Sequence, residues 1–434
     1  MAIRHTYPLA LIGITLAACT TSPTGSTGTP SNTTPIPASN VVNGVDLMKL
    51  EADTVLSVGT GPHGMTALEN GLIVNANPKS GDVNLIDGAA SPAAVVKTLP
   101  PLIESPTASS SPSYFKHAPD ERFAVNLDGG IVGLRVFDAL AKDWTATGKI
   151  ALPGKPGSKF VWATTQTDEQ TLFVPTAGAT NLARVRWENG FEQAPTVTPY
   201  LMRRTPGADE TLPTYTTGFV AMGGGFIALP DAADNAVHVQ NLDTANQPTG
   251  SVRTFREGNA PGPLDLATFD GVTTLVFGNK NSNNVILADP SKNGSSGVLA
   301  VLNVGSTPTD MVLSSDHRRA FITCKGSGEV AIVDVKNRTL SRLLKVGRNL
   351  TDATPNPVHI YRVGAPAGYQ HEQVWVGGDG DASVTVIDAV DLQVIAVVKV
   401  GNGHHKMAFT DKRAFVSNLT DNTVSVIERG RIHE

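Results

Sequence analysis

Short runs in which apolar and polar residues alternate recur along most of this chain, separated by turns rich in Gly, Asn, Asp and Pro. Alternation with a period of two places the apolar side chains on one face and is typical of β-strands. One unit, from Thr309 to Val346, contains four such runs and ends in Val346-Gly347. The pattern therefore predicts four-stranded antiparallel sheets that repeat along the chain.

The repeat is marked by a turn that introduces each new unit, and most of these turns carry a proline. The leading residues are Pro62, Pro112, Pro156, Pro213, Pro263, Pro308, Pro357 and, in the last unit, His404. A spacing of about 49 residues fits one blade of a β-propeller. Residues 46–434 are therefore predicted to form an all-β propeller of eight four-stranded blades. Seven blades is the alternative if one weak unit in the middle is an insertion.

The two ends of the predicted ring complement each other. The last unit stops at Glu428 after three strands, while a spare strand-forming run, Thr54 to Val58, precedes the first unit. That run ends in the same Val-Gly pair as the fourth strands of other units. We expect it to pair with the last blade, because closing the ring removes two exposed sheet edges.

Two strand motifs recur in blades 1, 6, 7 and 8. The third strand is Val-Asn-Leu-Ile-Asp at 83–87 and Val-Thr-Val-Ile-Asp at 384–388, and the second contains Phe-Ile-Thr-Cys at 321–324 and Phe-Val-Ser-Asn at 415–418. These motifs resemble the Tyr-Val-Thr-Asn signature of YVTN-type β-propeller repeat proteins. Blades 2 to 5 match only in spacing, and blade 3 is the poorest. The resemblance implies a fold but no activity, because propellers carry many unrelated functions.

Residues 1–18 have the features of an export signal. Arg4 and His5 precede an apolar stretch that is too short to span a bilayer, and Leu16-Ala17-Ala18-Cys19 follows. This sequence resembles the lipobox of bacterial lipoproteins, which implies cleavage before Cys19 and acylation of that residue. Thr20, where Asp would mark retention at the inner membrane, implies sorting to an outer membrane or cell surface. An ordinary secretory leader is the alternative.

Residues 19–45 are predicted to be a flexible tether. No charged residue occurs from Thr20 to Val45, and Thr, Ser, Pro, Gly and Asn dominate. Such a composition buries too little apolar surface to offset the entropy of ordering. The tether would hold the propeller of residues 46–434 away from the lipid surface.

The charge and composition of the chain indicate which kinds of partner to expect. The chain has 34 basic and 39 acidic residues, a net charge of −5, and no long Lys/Arg cluster, so nucleic acid is not an expected partner. Its 42 Gly and 29 Pro suit an all-β protein with many turns. Only Cys19 and Cys324 occur, so lipidation of Cys19 leaves no intramolecular disulfide. Cys324, at the end of an apolar strand, is predicted to be a buried structural thiol.

Candidate site residues come from the first strands, which converge on the channel of a propeller. Two positions beyond the leading residues lie Gly64, Tyr114, Ser158, Tyr215, Asp265, Asp310, His359 and Lys406. Of these, the candidate ligand-binding residues are Tyr215, Asp265, Asp310 and Lys406. Small polar groups at a hub also bind trapped water, which is the structural alternative.

The hub also has four candidate metal ligands, which are His63, His359, His404 and His405. They belong to blades 1, 7 and 8, which are neighbours in a closed ring, and converging imidazoles suit Zn²⁺ or Cu²⁺. The copper and haem propellers of denitrification enzymes use hub histidines similarly. This chain lacks their remaining histidine motifs and any haem-attachment Cys pair.

The favoured function is that of a non-enzymatic surface lipoprotein that binds a protein, glycan or small molecule. The long connections 100–112, 199–213 and 347–357 are its predicted contact loops. A metal-binding propeller, either enzyme or metal carrier, is the second hypothesis. A lyase or lactonase is the third, because Gly61-Pro62-His63-Gly64 resembles leading turns of streptogramin lyases, although their Trp-Phe-Thr-Glu strands are missing. Neither Gly-x-Ser-x-Gly nor His-Glu-x-x-His is present.

Overall fold

The computed structural model describes residues 33–34, 41–42, 45–46, 50–105, 108–146, 148–163, 170–203, 218–348, 356–403 and 405–432. These residues belong to one unit of the chain. The predicted signal peptide, the lipidation site Cys19 and most of the predicted tether lie outside them. The domain boundaries at 18 and 45 therefore remain predictions.

Eight antiparallel sheets form a ring, which confirms the eight-bladed propeller and makes the seven-bladed alternative wrong. In blades 1 to 4 the strands follow one another in chain order. Blade 1 contains Met65–Ala67, Leu72–Asn77, Asp82–Asp87 and Ala94–Leu99, and blade 2 contains Pro112–His117, Phe123–Asp128, Gly133–Asp138 and the two pieces Asp143–Trp144 and Ile150–Ala151. Blade 3 contains the two pieces Lys155–Pro156 and Val161–Trp162, then Thr171–Ala177, Leu182–Arg186 and Thr196–Tyr200, and blade 4 contains Ala221–Gly223, Phe226–Asp231, Ala236–Leu242 and Pro248–Phe255.

Blades 5 to 7 follow the same order. Blade 5 contains Pro261–Phe269, Val272–Asn279, Asn284–Ala288 and Val298–Asn303, and blade 6 contains Pro308–Leu313, Arg319–Cys324, Glu329–Asp334 and Thr339–Lys345. Blade 7 contains Pro357–Val363, Gln373–Gly378, Ser383–Asp388 and Gln393–Lys399. The split strands fall in blades 2 and 3, where the sequence motifs are weak.

Blade 8 is built from both ends of the chain. Met407–Phe409, Arg413–Asn418 and Thr423–Glu428 are followed in the sheet by the early strand Thr54–Ser57. Thr54–Ser57 runs antiparallel to Thr423–Glu428, and Ser57 pairs with Thr423. The predicted ring closure is therefore confirmed.

A few short elements lie outside the four-strand pattern. Thr33–Thr34 pairs in parallel with the fourth strand of blade 6, and Leu50–Glu51 with that of blade 7. Two small hairpins join Val41–Val42 to Val45–Asp46 and Ile103–Ser105 to Ala108–Ser109. Within the described ranges, 3₁₀ helices occur at Glu69–Gly71, Gly294–Gly297 and Arg429–Ile432. Among the residues described, no helix has the length and apolar character needed to cross a membrane.

The core lies between the blades. Each apolar cluster is shared by two neighbouring blades, as where Phe321 and Val330 of blade 6 pack with Ile360 and Val374 of blade 7. Strands covered on both faces need continuous apolar, β-branched sequences, which the repeat supplies. Cys324 is fully buried between blades 5 and 6, and burial raises the pKa of its thiol to about 12. The prediction of a structural thiol is confirmed.

The closing strand also joins the core. Leu56 packs against the cluster between blades 8 and 1, which contains Ile73, Phe415 and Val424. Its neighbour Val55 points outward and is 58% exposed. Substitutions at these two positions therefore distinguish the contribution of side-chain packing from that of the backbone pairing of this strand.

We expect Leu56→Asp to lower the free energy of unfolding by about 2 kcal/mol, because it places a carboxylate in the cluster that seals the ring. Val55→Asp, its matched control, should change stability by less than about 0.5 kcal/mol. Urea denaturation of both variants measures the difference. Equal effects at the two positions would contradict the role of Leu56 in closure.

Candidate functional site

The first strands place one side chain per blade at each level of the channel. In blades 2, 6 and 7 the leading proline pairs with the last residue of the second strand, and the register then shifts by a β-bulge. As a result Tyr114, Asp310 and His359 all pair one residue before the end of their second strands. In blade 8 the carbonyl oxygen of Lys406 accepts a hydrogen bond from the N–H of Ser417, which is also one residue before the end of its second strand. Lys406 therefore lies at the same level as the other three residues. These four residues form the deep level of the hub.

Blade 5 departs from the alignment predicted by the prolines. Pro261, and not Pro263, pairs with the last residue of the second strand, Asn279. Asp265 therefore lies two residues further along, opposite Val276, at the level where Lys116 pairs with Val125 in blade 2. A shift of two keeps a strand residue on the same face, so Asp265 still faces the hub but at a second, higher level.

A cavity of about 1240 Å³ occupies the hub. It extends from the deep level to the turns between first and second strands, such as Glu69–Gly71. The predicted residues Asp265, Asp310 and Lys406 line its wall. Tyr215 and His404 lie outside the described residues, as do parts of the three long connections predicted to be contact loops.

An ion pair between two distant blades spans the deep level of the hub. The ammonium group of Lys159, from blade 3, binds Asp310 of blade 6, and Nδ1 of His359 lies 3.7 Å from the other oxygen of that carboxylate. Burial raises the pKa of Asp310, but Lys159, His359 and Lys406 outweigh it and lower the pKa well below its usual value. Asp310 is therefore ionised at neutral pH and holds groups from distant blades together.

Two further lysines line the cavity. Burial, with a smaller contribution from Lys159, lowers the pKa of Lys116 to about 8, and nearby Asp265 opposes the shift. Burial likewise lowers the pKa of Lys406 to about 8, although Asp310 opposes it. Both are protonated for the most part at neutral pH.

Lys406 rests on an aromatic ring that a glycine helps to position. Its Nζ lies 4.9 Å from the ring centroid of Tyr114, a cation–π contact between blades 8 and 2. Blade 1 lies between them, and there Gly64 contributes no side chain. A Cβ at position 64 would come within 2.6 Å of the Cα of Tyr114, so only glycine allows this approach.

Three of the predicted metal ligands, His63, His359 and His405, lie within the described residues, and they have other partners. His405 is buried, with Nε2 2.8 Å from the carbonyl oxygen of Gly401, and His63 makes an edge contact with Tyr114 at 4.8 Å between ring centroids. His359 faces Asp310. Two groups of described residues bring three possible ligand atoms within 4.8 Å of one another, and neither group contains any of these three histidines. Zinc or copper at the hub histidines remains a prediction from the sequence.

The two sets that do converge lie elsewhere. Asp231, Asp234 and His238 form a buried group in blade 4, but Arg203 and Arg256 bind the two carboxylates at 3.2 and 2.7 Å. Guanidinium groups at both carboxylates disfavour a cation there. The other set is His371, Asp388 and Asp391 in blade 7, where Tyr369 also donates to Asp388. In both sets carboxylates already have hydrogen-bonding partners within the protein.

Sequence reasoning missed Lys116 and Lys159. Lys116 lies two residues beyond Tyr114, so strand alternation alone would have placed it in the channel. Lys159 had no such signal, because the first strand of blade 3 is interrupted between Lys155–Pro156 and Val161–Trp162. The alternation is broken there, and only the folded chain shows which way Lys159 points.

The neutral state of His359 predicts a loss of stability in mild acid. Burial and the positive charge of Lys406 lower the pKa of His359 to about 3 from 6.5, although Asp310 opposes them. Between these values the unfolded chain binds a proton that the native state does not, so stability falls as pH falls below 6.5, by up to about 1.4 kcal/mol per pH unit.

We expect His359→Asn to flatten this dependence between pH 6.5 and about 4.5, where Asp310 is still ionised. His371→Asn is the matched control, because its bond to Asp388 raises the pKa of His371 and gives the opposite sign. Urea denaturation across the pH series measures both. An unchanged slope in His359→Asn would show that His359 is protonated in the native state.

Comparison with known proteins supports the β-propeller fold but identifies no family. No protein-family model matches the sequence, and no curated protein matches it significantly. Sqt1 of Saccharomyces cerevisiae is similar in structure, with a TM-score of 0.58, 11% identity and coverage of 88% of this chain and 98% of that one. The C-terminal WD40 domain of Sif2 has a TM-score of 0.57, 14% identity and coverage of 87% and 98%.

A third similar structure is the dihydro-heme d1 dehydrogenase NirN, with a TM-score of 0.51, 14% identity and coverage of 83% of this chain and 69% of that one. Likeness at these identities shows the β-propeller fold alone. Enzymes and binding proteins share that fold.

Proposed function

We propose that this protein is a lipid-anchored propeller of the cell envelope that binds a small molecule in its hub cavity and does not transform it. The observation that carries the proposal is the cavity itself. Its volume of about 1240 Å³ exceeds the 300–1,000 Å³, roughly, of pockets that hold drug-sized ligands. It is lined by half-buried side chains with apolar surface, such as Val312 and Tyr361, together with nine charged ones, and apolar surface with polar groups that fix orientation is what a ligand site needs.

Binding without catalysis is supported by how the polar groups are engaged. Asp310 is held by Lys159 and His359, and Ser314 donates to Asp316. A hydroxyl–imidazole contact occurs on the wall between Thr66 Oγ1 and His117 Nδ1 at 3.2 Å. Thr66 is only 7% exposed, however, so its hydroxyl is poorly placed to attack a bound molecule.

The membrane anchor rests on the sequence. Leu16-Ala17-Ala18-Cys19 supports lipidation of Cys19, and the uncharged stretch after it supports a tether between lipid and propeller. The partner on that side is the membrane, reached through the anchor at an outer membrane or cell surface.

Lipidation predicts that Cys19→Ser abolishes fatty-acid labelling and releases the protein from the membrane fraction. Cys324→Ser is the matched control, since the chain has two cysteines and Cys324 is buried in the core. Metabolic labelling with palmitate, followed by fractionation, measures both. Labelling that survives in Cys19→Ser would refute the anchor and leave the cavity proposal standing.

The cavity proposal predicts that a bulky residue on the wall excludes the ligand. Met222 lines the cavity, and Met222→Trp should reduce ligand that co-purifies with the protein by about tenfold or more. Leu140→Trp is the control, because Leu140 is 62% exposed and lies outside the cavity lining. Native mass spectrometry of protein from its own envelope measures occupancy. Wild-type protein without ligand, or equal occupancy in all three proteins, would contradict the proposal.

A further inference from the structure

The charges at the two deepest levels of the hub cavity do not cancel. Its charged side chains at the two deepest levels are Lys116, Lys159, Lys406, Asp265 and Asp310. Lys159 and Asp310 neutralise each other in their ion pair. Two lysines then face one carboxyl group, and burial raises the pKa of Asp265, which favours its uncharged form. The deep part of the cavity therefore carries excess positive charge, whereas the acidic residues Glu69, Glu121 and Asp411 line its outer end, on the turns between first and second strands.

Within the stretches that the structure describes, the ammonium groups of Lys116 and Lys406 make no ion pair and no side-chain hydrogen bond. Lys406 has a cation–π contact with Tyr114, and Asp265 and Asp310 attract Lys116 and Lys406, respectively, from beyond salt-bridge distance. A charged group removed from much of its water is costly unless an opposite charge or an acceptor compensates it. Lysines in this state attract an anion.

The remainder of the cavity indicates what kind of anion fits. The volume far exceeds that of an inorganic ion, and the half-buried side chains of Tyr114, Val312 and Tyr361 supply apolar surface on its wall. We propose that the hub binds an organic anion, whose acidic group lies between Lys116 and Lys406 and whose apolar body packs on this wall. The inference rests on the proposed function, since it names the ligand class of the same cavity.

Two probes that differ only in an acidic group test it. Anilinonaphthalene sulfonate is such an anion, and N-phenylnaphthylamine is the same skeleton without the sulfonate. Both are titrated by fluorescence into the full-length protein, with Met222→Trp reporting which signal arises in the cavity. Lys116→Met and Lys406→Met remove the charge but keep the length, and the corresponding arginine variants restore it. Lys292→Met is the control, because Lys292 is 57% exposed and pairs with Asp289 outside the cavity.

We expect the sulfonate to bind about tenfold more tightly than the neutral probe, and each Met variant to weaken it by about tenfold, as loss of a charge-assisted contact should. The arginine variants and Lys292→Met should bind the sulfonate as the wild type does, and affinity for the neutral probe should stay unchanged throughout.

Three results would overturn the inference. Sulfonate binding that survives both Met substitutions would show that the lysines do not hold the anion. Equal affinity for the two probes in the wild-type cavity would reject the anion while leaving a hub that binds small molecules. Inorganic phosphate that displaces the sulfonate at equal concentration would replace the organic ligand by a simple ion.

Discussion

The pairing of Thr54–Ser57 with Thr423–Glu428 is the constraint on which the rest of this structure depends. Every blade buries both of its faces against neighbours, so an open ring would leave two apolar faces and two sheet edges in water. Closing the ring with a strand from the other end of the chain removes all four. It also brings blade 1 against blade 8, where Leu56 of the closing strand and Ile73 share one apolar cluster.

Closure in turn defines the hub. Because the first strands of all blades line one channel, side chains that are far apart in the sequence meet across it. Lys159 and Asp310 come from blades 3 and 6, and Lys406 reaches Tyr114 across Gly64 of blade 1. The site is thus a product of the ring and not of any single blade. Its chemistry follows from two ammonium groups that the ring holds at the deep levels of the cavity, where Asp310 is already paired with Lys159.

The sequence predicts the fold well because the same blade pattern recurs eight times along the chain. A blade count of eight and the closing strand both follow from spacing and from one missing strand, without any knowledge of side-chain contacts. The site is less predictable. Alignment on the leading residues identifies Asp310 and Lys406 but places Asp265 at the wrong level, because Pro261, and not Pro263, occupies the leading position in blade 5.

Side-chain direction is the other information that the sequence does not carry. His405 was expected to face the channel, yet it turns to the carbonyl of Gly401 within the wall. Lys159 was overlooked because an interrupted strand has no alternation to follow. Its partner Asp310 was recognised as a hub residue, but the ion pair between blades 3 and 6 depends on the diameter of the ring, which no local pattern encodes.

Hydrogen exchange at the closing strand tests this account most directly. If Thr54–Ser57 completes blade 8, its ladder amides exchange only when the ring opens, and so as slowly as those of Thr423–Glu428. Mass spectrometry of peptides covering the two segments would then give matching protection. Exchange of Thr54–Ser57 at the rate of an unstructured chain, with Thr423–Glu428 still protected, would contradict the closed ring and the hub built upon it.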